Sequence, residues 1–181
     1  PALEHGMAEQ AAEIELIASN PESATFENTI EAMEKTGQTL GRSRRIFGAL
    51  ISAHTNAALD DINTEMSPKF AAHRDSILLN AELYARVVQL YLAQESLGLD
   101  AESSRLLDRY HTDFIRAGAQ LSDDQKARLR EINADLAALS TAFSQAVLDD
   151  VNDSAVIVES REELAGMTEN QIESAAKEGV N

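Results

Sequence analysis

The sequence predicts an all-α protein, an antiparallel helical bundle with one short strand near its C-terminus. Three observations carry this reading. Only 3 prolines and 8 glycines interrupt 181 residues. The segments between them are rich in Ala, Leu, Glu, Gln and Arg, which lose little side-chain freedom in a helix. Apolar residues recur at three- and four-residue intervals, the period that gathers them on one helical face. A chain of this size, one domain or two small ones, can bury a core without disulfides or metal.

Each element has a local reason. Residues 2–19 form a first helix, stopped at Asn20-Pro21 because proline disfavours helix in the residue before it. Thr25 caps a short helix running to Gly37. A longer helix over about 38–54 carries Leu40, Phe47, Leu50 and Ile51 on one side. Asn56 starts the next segment, which Pro68 must restart or kink. Asn80 separates it from residues 81–96, where Leu83, Val87 and Leu90 share a face. Gly98 then suits a helix end and Asp100 a new N-cap. The helix over about 101–117 places Leu107, Tyr110, Phe114 and Ala117 on one face, and Gly118 closes it.

Ser122-Asp123-Asp124-Gln125 matches a capping box, with two aspartates at the positive end of the helix dipole. The strongest periodic signal follows. Leu129, Ile132, Leu136, Leu139, Phe143 and Ala146 form an apolar seam, which reads as core with Leu136 at its middle. On that reading Leu136→Ala costs about 2–5 kcal/mol. Asp149-Asp150-Val151-Asn152-Asp153 is too acidic and turn-prone to continue the seam. Ala155-Val156-Ile157-Val158 is a β-branched run and the one strand candidate, whose ladder would need a partner. Ser160 to Glu163 and Thr168 to Gln171 are further capping boxes opening short helices. The expected division is a helical domain over 1–150 and a segment over 151–181 holding the strand and short helices.

Charge excludes several partners. With 31 acidic against 15 basic residues the formal charge is −16. Nucleic-acid binding normally needs a basic face, and anionic membranes would repel this chain. No apolar run approaches the roughly 18 residues that span a bilayer, and no signal-peptide pattern opens the chain. Cysteine is absent, which removes disulfides, thiolate zinc sites and cysteine nucleophiles and fits a reducing compartment, the cytoplasm being the expected location. The largest basic cluster, Arg42, Arg44 and Arg45, is expected to pair with neighbouring acids; an anion or substrate-terminus site is the alternative.

Catalytic signatures are lacking. His5, His54, His73 and His111 stand apart, and none belongs to an H-E-x-x-H or has another histidine three or four residues away. Asp60-Asp61 and Glu162-Glu163 are adjacent, so on a helix each pair points in divergent directions. There is no G-x-S-x-G and no phosphate-cradling glycine loop. The expectation is no catalytic residue and no metal ligand, with substrate-binding residues unknown. Tyr84, Tyr91 and Tyr110 fit helix packing with a wet hydroxyl.

Several stretches nevertheless occur in a familiar order. They are Asn20-Pro21 with Thr25 to Ile30, Ala53 to Asn56, Leu79 to Val87, Glu95 to Asp100, Ala117-Gly118-Ala119, Phe143-Ser144-Gln145 and Glu163 to Met167. Together they resemble the amino-terminal region of the thimet-oligopeptidase-type zinc metallopeptidases. That resemblance implies a parent enzyme that hydrolyses oligopeptides, with release of carboxy-terminal dipeptides the expected specificity. It further implies that zinc is held by an H-E-x-x-H helix and a later glutamate, both far beyond this region. The present chain would then be a non-catalytic fragment walling a deep peptide channel, with the catalytic remainder of the same chain as its partner and no cofactor of its own. Two other readings compete: an independent helical module binding a partner helix, and an enzyme with a carboxylate site assembled by the fold.

Overall fold

The computed structural model describes residues 1–154, 158 and 160–178, apart from the side chains of His54, Val151, Asn152 and Glu178. Every regular element among them is helical. In chain order these are α1 (Ala2–Ala18), a π-helical turn (Phe26–Glu31) running into α2 (Ala32–Glu34), α3 (Gln38–His54), α4 (Ala57–Leu78), α5 (Ala81–Ala93) with a 3₁₀ turn at its end (Gln94–Ser96), α6 (Ala101–Arg116), α7 (Asp123–Asp153), a second 3₁₀ turn (Arg161–Leu164) and α8 (Glu169–Glu178). The strand expected at 155–158 falls largely outside the described residues, and Val158 belongs to no strand.

The caps lie where the short polar residues put them. Thr25 Oγ1 accepts from the Asn28 amide at 3.1 Å while Asn28 Oδ1 accepts from the Thr25 amide at 2.8 Å, a reciprocal box. Asn56, Asn80 and Asp100 each accept from the backbone amide three residues on, at 3.1, 2.9 and 2.8 Å. The Ser103 amide holds the Asp100 carboxyl below its ordinary range. Ser122 and Gln125 complete a second reciprocal box. Helix α4 continues through Pro68 as a single element.

The chain forms two units, Pro1–Phe143 and Ser144–Asn181. The core of the first lies among α1, the π turn, α2, α5 and α6. Ile14, Ile17, Phe26, Ile30, Met33, Leu83, Val87, Leu90, Leu107 and Phe114 are all buried there. Helix α3 lies across α1 so closely that a Cβ on Gly6 would stand 2.7 Å from Leu40 Cα. That crossing requires glycine at position 6. The second unit comprises the end of α7, a 3₁₀ turn (Arg161–Leu164) and α8. An Arg161–Glu169 ion pair links that turn to the start of α8.

Beyond Leu129, which is half-buried, the seam on α7 is not core. Ile132, Leu136, Leu139 and Phe143 are 39, 56, 67 and 72 % exposed, and Ala146 is exposed as well. Helix α7 instead turns a different stripe, Asn133, Ala137 and Thr141, toward α4. Asn133 Nδ2 donates to both oxygens of the buried Asp75, at 2.8 and 3.0 Å. Ser67 Oγ donates to the Ala137 carbonyl at 3.1 Å and accepts from Thr141 Oγ1 at 2.8 Å. Directional polar bonds, not the apolar face, determine which side of the helix is covered.

Two stability predictions follow from this packing. Phe114→Ala should cost about 3–5 kcal/mol in urea unfolding, while Leu136→Ala should stay within about 0.5 kcal/mol. Gly6→Ala should cost about 1–3 kcal/mol by overpacking the α1–α3 crossing. A tolerated Gly6→Ala would mean that these helices slide apart freely.

Candidate functional site

The densest arrangement of polar side chains surrounds Arg86. It sits on the same face of α5 as Leu83 and Leu90 and is only 8 % exposed. Its guanidinium donates to the carbonyls of Asn20 and Glu22, both at 3.0 Å, to Asn28 Oδ1 at 2.8 Å and to Thr29 Oγ1 at 3.3 Å. Residues from two of the stretches that carry the family resemblance therefore meet here. This is a structural knot, since every acceptor is a neutral oxygen already held in place by the turn. Sequence reasoning missed it, although an arginine set into the Leu83–Val87–Leu90 stripe was a visible signal.

The histidines do not converge. His73 Nε2 and Gln10 Oε1 share a 2.8 Å hydrogen bond between α4 and α1. Burial, and then the nearby Arg44 charge, lower its pKa from 6.5. His111 stacks on Tyr91 with ring centroids 3.7 Å apart and lies 6.4 Å from Tyr84. His5 is exposed, and the His54 side chain lies outside the described residues. Tyr110 donates to Glu34 Oε1 at 2.6 Å, and burial together with that bond pushes its phenol well above the ordinary range. Tyr84 accepts from Gln120 Nε2 at 2.9 Å.

The arginine cluster also departs from expectation. Among the described residues neither Arg42, Arg44 nor Arg45 forms an ion pair; Arg44 instead lies 4.6 Å over the Phe70 ring. Two of the acids near these arginines in sequence, Glu4 and Glu31, are engaged by lysines instead. Glu4 and Glu65 both bind Lys69, at 2.7 and 2.6 Å, which raises that ammonium to about 12. Glu31 binds Lys35.

Two clefts remain. One, of about 410 Å³, is apolar and lined by Leu3, Ile46, Phe47, Leu50, Ile62 and Met66 among others. The other, of about 380 Å³, brings Arg74, Asp75, Asp113, Arg116 and Asn133 together. Asp75 is committed there to Asn133, so the cleft presents opposed charges and no nucleophile bonded to a base. Among the described residues no group of three or more His, Cys, Asp or Glu could hold a metal ion. No described helix is long and apolar enough to cross a membrane.

No family model matches the chain. Individual proteins do. It is 40% identical over 177 residues to dipeptidyl carboxypeptidase of Escherichia coli K12, an alignment covering 98% of this chain and 26% of that protein. Identity to dipeptidyl carboxypeptidase of Salmonella typhimurium LT2 is 37% over the same shares. Oligopeptidase A of Haemophilus influenzae is 25% identical over 97% of this chain and 26% of its own length. The chain thus spans about a quarter of the length of the curated relatives it matches. Over that quarter its sequence is similar to the bacterial dipeptidyl carboxypeptidases and, at lower identity, to an oligopeptidase A and a thimet-like oligopeptidase.

Two measurements probe these arrangements. Removing the Arg86 fork by Arg86→Ala should cost about 3 kcal/mol, because buried acceptors lose charge-assisted donors. Arg86→Lys should recover little of this, since an ammonium cannot reach the same fan of oxygens. His73 is held neutral in the folded state, so its contribution is complete above pH 6.5 and is lost as pH falls through its lowered pKa. His73→Gln should flatten the decline in Tm below pH 6.5. A ring titration by NMR at or above 6.5 would contradict this.

Proposed function

We propose that this chain is the non-catalytic, amino-terminal helical portion of a cytoplasmic zinc metallopeptidase that hydrolyses oligopeptides and releases carboxy-terminal dipeptides. The observation that carries the reading is the alignment itself, 40% identical across 98% of this chain but only 26% of a dipeptidyl carboxypeptidase. In this reading the helices of residues 1–150 pack antiparallel and help wall the peptide channel. Residues 151–181 lead toward the catalytic remainder. The residues present do not fit zinc: there is no H-E-x-x-H, no cysteine and no ligand cluster among the described residues. The metal and the chemistry therefore belong to the rest of the enzyme, which is also this chain's principal partner.

The test is a quenched-fluorescent oligopeptide assay with the 181-residue chain and with the longer polypeptide that contains it. The short chain should show no turnover with or without added zinc. The longer one should release carboxy-terminal dipeptides and lose activity to a chelator. Chelator-sensitive cleavage that co-purifies with the short chain would overturn the reading.

A further inference from the structure

We propose that the exposed seam of α7, formed by Ile132, Leu136, Leu139 and Phe143, is a docking face for the remaining polypeptide of the peptidase; this rests on the functional reading above. The first support is that α7 has two built faces. Its polar stripe is already committed to α4 through Asn133–Asp75, Thr141–Ser67 and the Ser67 bond to the Ala137 carbonyl. The seam contributes nothing to that attachment, yet its apolar residues hold a regular three- and four-residue spacing. Solvent-facing helix surfaces favour Glu, Lys and Arg, and a contiguous stripe of leucines and a phenylalanine marks a surface that something covers.

Charge and length select the occupant. A second copy would bring together two chains that each carry −16, and that repulsion opposes self-association. The relatives offer another source, since this chain accounts for only 26% of their length. The chemistry that fits is an apolar helix face packed ridge into groove along the Leu136–Leu139–Phe143 row. Such a cover would sandwich α7 between α4 and the remainder of the enzyme.

Hydroxyl-radical footprinting of the 181-residue chain and of the full-length enzyme tests this, with the buried Leu107 and Phe114 as internal references. Leu136, Leu139 and Phe143 should react as exposed groups in the short chain and fall to the reference level in the full-length enzyme. The double variant Leu136→Gln/Leu139→Gln should leave the urea midpoint of the short chain unchanged and lower that of the full-length enzyme. Equal labelling in the two proteins would overturn the proposal. So would labelling that falls with concentration in the short chain while staying high in the long one, which would make the seam a contact between copies. Peptidase activity recorded on the same full-length sample separates the two readings. An active enzyme with a labelled seam refutes the docking face alone, whereas a protected seam without peptidase activity refutes the functional reading alone.

Discussion

The first unit depends on the buried guanidinium of Arg86. Arg86 enters the core from α5 and is neutralised by no carboxylate among the described residues; it is solvated by oxygens of residues 20, 22, 28 and 29. A guanidinium tolerates this because its charge is delocalised and weakly hydrated, and its planar fork can serve several acceptors at once. The result is that an irregular stretch after Pro21 becomes a fixed turn. Thr25 and Asn28 then close their reciprocal box, and the π turn delivers Phe26 and Ile30 into the space between α1, α5 and α6. Phe26, Thr29, Ile30 and Met33, spaced three, one and three residues apart, all face inward across the junction with α2.

How much of this was legible depended on the range of the interaction involved. Caps are decided within four residues, so Thr25, Asn56, Asp100 and Ser122 announced their helices directly. The faces of α5 and α6 were legible because their covers lie in this chain: Leu83, Val87, Leu90, Leu107 and Phe114 are all buried. The same periodic rule failed on α7. Periodicity reports that a face is built to be covered, not that its cover is present, and Leu136 is 56 % exposed. The register of α7 on α4 was set by Asn133 and Thr141, residues that no hydrophobic pattern singles out.

Around the candidate site, the lack of an H-E-x-x-H and of cysteine is a property of the residue list and needs no coordinates. The meeting of Asn20, Asn28, Thr29 and Arg86 did need them, because those residues are far apart in the chain. The arginine cluster shows the converse error. Arg42, Arg44 and Arg45 follow an acid-rich segment, but the fold assigns Glu4 to Lys69 and Glu31 to Lys35 and leaves Arg44 against an aromatic ring.

The polar attachment of α7 has a mechanical meaning. Hydrogen bonds are short and angular, so sliding or rolling the helix by one turn would carry Thr141 away from Ser67 and Asn133 away from Asp75 together. An attachment through leucines would tolerate such slippage far better. The seam on the opposite side is consequently presented at a set azimuth and depth, like teeth on a bolted rack rather than on a rolling cylinder. Whatever surface meshes with it finds the rotational and translational freedom of α7 already spent during folding, which leaves less entropy to lose at the moment of contact.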